Sequence, residues 1–122
     1  MSTPEAAATE LRGLRMASWL DRLARENDNC RAALQWWMES GQASAALPMV
    51  EALGQYWYWR GYREEGTFWI STVLGAVSPQ DSVLLGQVLF HLSALLSRLG
   101  RTDEAIACFQ RAMGMARRLE AP

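Results

Sequence analysis

Lysine is missing altogether: all twelve basic residues among the 122 are arginine. A lysine nucleophile or Schiff base is therefore excluded within this chain. Histidine occurs once, at His91, and cysteine twice, at Cys30 and Cys108, with no CxxC pair and no histidine nearby. The expectation is two buried, reduced thiols rather than a disulfide or a metal site. No apolar run approaches the roughly 18 residues needed to cross a bilayer. The opening stretch MSTPEAAATELRGLR lacks the apolar core of a signal peptide. A cytoplasmic protein without membrane contact is expected. The formal charge is −1, with no patch of one sign, so direct nucleic-acid contact is not expected either.

What is present is apolar. Half the residues are hydrophobic, and a chain of 122 is expected to form one domain over 1–122. Folding at this size buries about two thirds of the unfolded surface. The apolar spacing is helical almost throughout, with no sustained two-residue alternation. Breakers divide the chain. Asn27-Asp28-Asn29 offers capping side chains, and Gly41, Gly61 and Gly100 follow helical patterns where a left-handed residue is wanted. Ser78-Pro79-Gln80-Asp81 reads as a helix start, with a serine cap, proline in the first turn and an acid three residues on. Asp103 and Glu104 suit the positive end of a further helix dipole. Six helices are predicted, over about 5–26, 29–40, 43–60, 63–77, 79–98 and 103–119. Pro48 predicts a slight kink, or a start nearer Ser44.

The short links pair these helices into three antiparallel hairpins, about 5–40, 43–77 and 79–119. Gly61-Tyr-Arg-Glu-Glu-Gly-Thr-Phe-Trp-Ile and Gly100-Arg-Thr-Asp-Glu-Ala-Ile-Ala-Cys-Phe repeat one plan at an offset of 39 residues. A fainter copy runs through Asp28, Ala33 and Trp37. The segment 86–119, with Leu92, Ser93, Gly100, Glu104-Ala105, Phe109 and Ala112, resembles a tetratricopeptide repeat. Leu96 stands there in place of an aromatic residue, and Gly66 and Ile70 depart from the pattern in the middle copy. The resemblance implies an all-α, right-handed superhelix of about three antiparallel helical hairpins.

A second resemblance spans 19–69. Trp19-Leu-Asp-Arg-Leu-Ala-Arg-Glu-Asn-Asp-Asn-Cys-Arg-Ala-Ala-Leu-Gln-Trp, then a tryptophan-rich helix ending in Arg60-Gly61, is similar to a particular helical array. That array follows the nucleotide-binding and winged-helix parts of bacterial signalling ATPases and LuxR-type or antibiotic-pathway regulators. Cys30 stands where leucine is usual. No GxxxxGK[ST] loop is present. The resemblance implies either a piece of such a regulator or a free-standing relative, acting as an interaction or sensor module.

The stretch Gln55-Tyr-Trp-Tyr-Trp-Arg-Gly-Tyr62 holds five aromatic rings in eight residues. Unrolled as a helix, Leu47, Val50, Leu53 and Trp57 share one stripe, and Met49, Ala52, Tyr56 and Trp59 another. Such a helix is apolar around most of its circumference and belongs in the middle of the molecule. Trp57 and Tyr56 read as packing. Glu51, Gln55, Tyr58 and Tyr62 fall on a polar stripe, matched later by Gln87, Phe90, His91 and Arg98. In tetratricopeptide arrays these positions face the concave groove, so the two stripes are the candidate binding surface for a protein or peptide.

Two rival readings remain. Trp36, Trp37, Trp59 and Trp69 could wall a pocket for a small molecule. The last hairpin, with Ile106, Phe109, Met113 and Met115, lacks a polar cap and could join a second copy into a homo-oligomer. Catalysis is not expected. Glu64 and Glu65 are adjacent, point about a hundred degrees apart and are expected to be solvated. His91 has no metal-ligand partner at useful spacing. No cofactor or metal is expected.

Overall fold

The computed structural model describes residues 18, 21–22, 25–78 and 80–120. The helix expected over 5–26 falls mostly outside the described residues, as do Trp19 and Pro79. Among the described residues the chain is all-helical, with five helices and no strand. They are α1 (Asn27–Glu39), α2 (Ala43–Arg60), α3 (Arg63–Ala76), α4 (Val83–Arg98) and α5 (Thr102–Glu120).

Three of the connections end on glycine chemistry. Gly41, Gly61 and Gly100 have φ of 72°, 80° and 77°, a region closed to most side chains but open to glycine. Each lets the chain reverse within two or three residues. Consecutive helices therefore lie side by side, α2 on α3 and α4 on α5.

Helix starts differ from expectation in two places. Residues Asn27 and Asp28 lie inside α1, whose N-cap is Glu26 without a side-chain cap bond. The start expected at Ser78-Pro79 moves to Val83: Ser82 adopts the extended capping conformation, and its Oγ accepts from the Leu85 N–H at 3.0 Å. Ser82, not Ser78, takes the capping role, and Leu85 and Leu89 of the helix it opens pack against Ala112 and Met115 on α5. Asp81 therefore precedes α4 instead of standing in its first turn as expected. It receives two hydrogen bonds from Arg118, at 2.6 and 3.0 Å, and ties the start of α4 to the end of α5. Pro48 sits on the exposed side of α2, which runs unbroken from Ala43.

Helix α2 is central, touching α1, α3 and α4. Its Val50, Leu53, Tyr56 and Trp57 are all at most 1% exposed and join Leu34, Ile70, Val73, Val88 and Leu95 in the main core. Two glycines allow the close helix contacts this needs. A Cβ at Gly54 would stand 2.5 Å from Cγ of His91 on α4, and one at Gly66 would stand 2.9 Å from Leu95 Cδ1 and Trp57 Cβ. A second cluster, Leu85, Leu89, Ala112 and Met115, fills the space between α4 and α5. Leu47, Leu74 and Val77 pack against both clusters.

The cysteines are free. Cys30 is buried in the core, but Cys108 is only half-buried, packed against the edge of the main core. Burial pushes both thiols above the ordinary cysteine value, with Glu26 adding to the effect at Cys30. Neither therefore has the lowered pKa of a reactive cysteine. No helix of the described residues is long and apolar enough to cross a membrane.

Candidate functional site

The two polar stripes meet. Helices α2 and α4 pack with Gly54 under the His91 ring, which brings Glu51 alongside: His91 Nε2 lies 3.4 Å from Glu51 Oε1. Two turns further along, the Arg98 Nε donates to the Tyr58 hydroxyl at 2.8 Å, and its guanidinium stands 5.3 Å from the Tyr58 ring centroid. Both contacts join positions 40 residues apart in sequence, one hairpin to the next. Tyr58 is half-buried against the core, so part of this stripe is structural cement between hairpins. Gln55 and Gln87 are exposed. Tyr62 stands apart as the N-cap of α3, with its ring 5.7 Å from that of Tyr56.

Beside this junction lies an apolar cleft of about 490 Å³ between α4 and α5. Glu51, Gln87, Phe90 and His91 of the expected groove line it. The sequence reading did not assign its other wall to the site. Val83 and Gly86 come from α4, and Phe109, Met113 and Leu119 from α5. Phe90 and Phe109 face each other across the cleft with centroids 6.5 Å apart. Phe90 remains 54% exposed and Phe109 45%. Phe109 and Met113 carried a signal, since they recur at helical spacing on an uncapped last helix. Sequence spacing alone does not say which face of α5 turns toward Phe90, so it fits self-association as well as a cleft wall. Met115, grouped with them from sequence, is buried beneath the cleft against Leu85 and Leu89.

The four tryptophans of the pocket reading occupy different surroundings. Trp36 and Trp59 are 57% and 63% exposed, Trp37 packs at the core edge, and Trp69 is buried. None of them lines the α4–α5 cleft.

The adjacent acids also divide. Glu64 is exposed, but Glu65 is half-buried and accepts from Arg31 Nε at 2.6 Å and Nη2 at 2.9 Å, linking α1 to α3. The expectation that both are merely solvated is corrected: a planar guanidinium on the neighbouring helix α1 matches one carboxylate bidentately. Glu104 pairs with Arg101 on the turn before α5. Among the described residues, no three His, Cys, Asp and Glu side chains are grouped as a metal ion would require.

No protein-family model matches this chain, and no solved structure matches it significantly. Three curated proteins do, one from Mycobacterium bovis and two from strains of Mycobacterium tuberculosis. Each is 32% identical over 110 residues and each bears the name "Putative HTH-type transcriptional regulator". That finding corrects the expectation of no direct nucleic-acid contact. A helix-turn-helix is a DNA-reading motif, and the charge balance of one segment is no measure of what proteins of this kind bind. The alignment takes in 83% of this chain and 12% of each relative's length, so the chain is similar to a short segment of proteins named as transcriptional regulators.

Proposed function

We propose that this chain is a non-catalytic, tetratricopeptide-like interaction module of a bacterial transcriptional or signalling regulator, and that it takes a protein or peptide segment in the cleft between α4 and α5. One observation carries the reading: an apolar cleft whose facing wall residues, Phe90 and Phe109, stay about half exposed beside a polar pair, Glu51 and His91. A small ligand in a dedicated pocket is typically about 70–90% enclosed, which walls this open do not provide. A macromolecular segment brings its own cover. The similarity to named regulators supports the regulatory setting. The glycine-turn hairpins, with close approaches at Gly54 and Gly66, support the repeat-array reading.

The test is a peptide-display selection against the whole chain, followed by Phe90→Ala and Phe109→Ala. Selected peptides are expected to lose at least tenfold in affinity in each variant while melting temperatures stay within a few degrees. Peptides that bind both variants as well as the parent would place the site elsewhere and sink the reading.

A further inference from the structure

We infer that the occupant of the α4–α5 cleft is an amphipathic helix that carries arginine or lysine beside its apolar face. The inference rests on the interaction-module reading above and adds the chemistry of the partner.

Length comes first. The α5 side of the cleft runs from Phe109 to Glu120. Eleven steps at about 1.5 Å of rise each give roughly 16 Å, or about three helical turns. That is too long for one anchoring side chain and suits a short helix.

Backbone satisfaction comes next. Both walls are helices whose own amides are bonded internally, so the cleft offers no sheet edge to an extended strand. A segment pressed into apolar surface must satisfy its N–H and C=O groups itself, and a helix does so. Its apolar residues, at i, i+3, i+4 and i+7, would lie over Phe90, Phe109 and Met113.

Charge decides the flank. The carboxylate side chains on the wall are Glu51 and Glu120, and the wall contains no arginine. Arg118 points away into its pair with Asp81. Glu51 is partly desolvated, with its side chain 34% exposed, and its contact with His91 is long at 3.4 Å. A carboxylate held in this way gains from a cation on an incoming helix and is penalised by an anion.

The experiment uses three synthetic peptides of about 16 residues, long enough for measurable helix, sharing one apolar face and flanked by arginine, serine or glutamate. Binding to the whole chain is read by fluorescence anisotropy at low and moderate salt. The arginine peptide is expected to bind at least about tenfold tighter than the glutamate peptide, with the gap narrowing as salt rises. In Glu51→Gln the gap should fall to about a third of that or less. In Phe109→Asp, whose fold is checked by circular dichroism, all three should lose binding. Equal binding of the three peptides, with loss in Phe109→Asp, overturns this inference alone. Binding unchanged in Phe109→Asp overturns the cleft assignment and the interaction reading with it. Self-association in sedimentation that Phe109→Asp dissolves would show a second copy filling the cleft, and would also overturn the inference.

Discussion

Helices α2 and α5 both carry a heavy load of large apolar side chains and treat them in opposite ways. In α2 the largest fully buried side chains, Tyr56 and Trp57, are each 1% exposed, while Trp59 at its end stays 63% exposed. In α5, Ile106, Phe109, Met113 and Leu119 are all exposed, and burial falls to Ala105, Ala112 and Met115. The difference lies in neighbours. Helix α2 is flanked by α1, α3 and α4, whereas α5 packs on α4. A helix enclosed on three sides spends most of its aromatic residues on cohesion. One packed on a single side leaves an apolar stripe available, and in this protein that stripe forms half of the cleft. Exposed contiguous apolar surface of this kind marks an interaction site more often than an accident of composition.

Substitutions at the two regions should break apart accordingly, and the largest effect belongs to Trp57. Trp57→Ala is expected to cost about 3–5 kcal/mol, as core tryptophans do, lowering the melting temperature by at least about 12 °C. A loss under about 1 kcal/mol would remove α2 from the centre of the molecule.

Gly54 follows. Its missing Cβ is what lets His91 lie against α2, so Gly54→Ala should cost about 1–3 kcal/mol through overpacking. Gly75 is the control, since a Cβ there meets nothing within 4 Å, and Gly75→Ala should be neutral or slightly stabilising by chemical denaturation. If both substitutions behave alike, the close approach of α2 to α4 is wrong.

At Gly100 the space is open but φ is 77°, so the strain alone acts: Gly100→Val should cost roughly 1–2 kcal/mol. Phe90→Ala and Phe109→Ser should then change stability by less than about 1 kcal/mol, as surface sites usually do. Denaturant midpoints for the two cleft variants, set beside Trp57→Ala, sharpen the contrast between enclosed and open helices.

The smallest effect concerns the Asp81–Arg118 link. The hydrogen bonds from Arg118 hold the Asp81 carboxyl below its usual value. A carboxyl lowered in the folded state stabilises above its unfolded pKa, about 3.9, and loses that contribution as pH falls through the lower folded value. Arg118→Gln should therefore shrink a small acid-side slope in melting temperature and leave the neutral-pH value almost unchanged. An unaltered acid profile would show that the link contributes nothing in solution.

Much of the fold was legible before any coordinates, and the reasons are local. Helical spacing marked the elements, and glycine placed three turns because φ near +75° excludes most other residues. The all-round apolarity of Ala43–Arg60 announced an enclosed helix. The start of α4 was not legible, since Ser78 and Ser82 are both good capping residues by type and four residues of sequence do not say which one caps. The candidate site was half legible. Glu51, Gln87, Phe90 and His91 shared stripes that helix geometry reveals, whereas Phe109, Met113 and Leu119 joined them through the approach of α5.

By itself, then, the sequence determined that this protein is helical, where several of its chain reversals fall, and that Trp57 is core. These follow from backbone sterics and from apolar periods that act over a few residues. Only the tertiary structure decided which faces meet: Arg31 with Glu65, Arg98 with Tyr58, Phe90 with Phe109. The rotation of one helix against another is set by packing summed over both surfaces, a quantity no short window of residues contains.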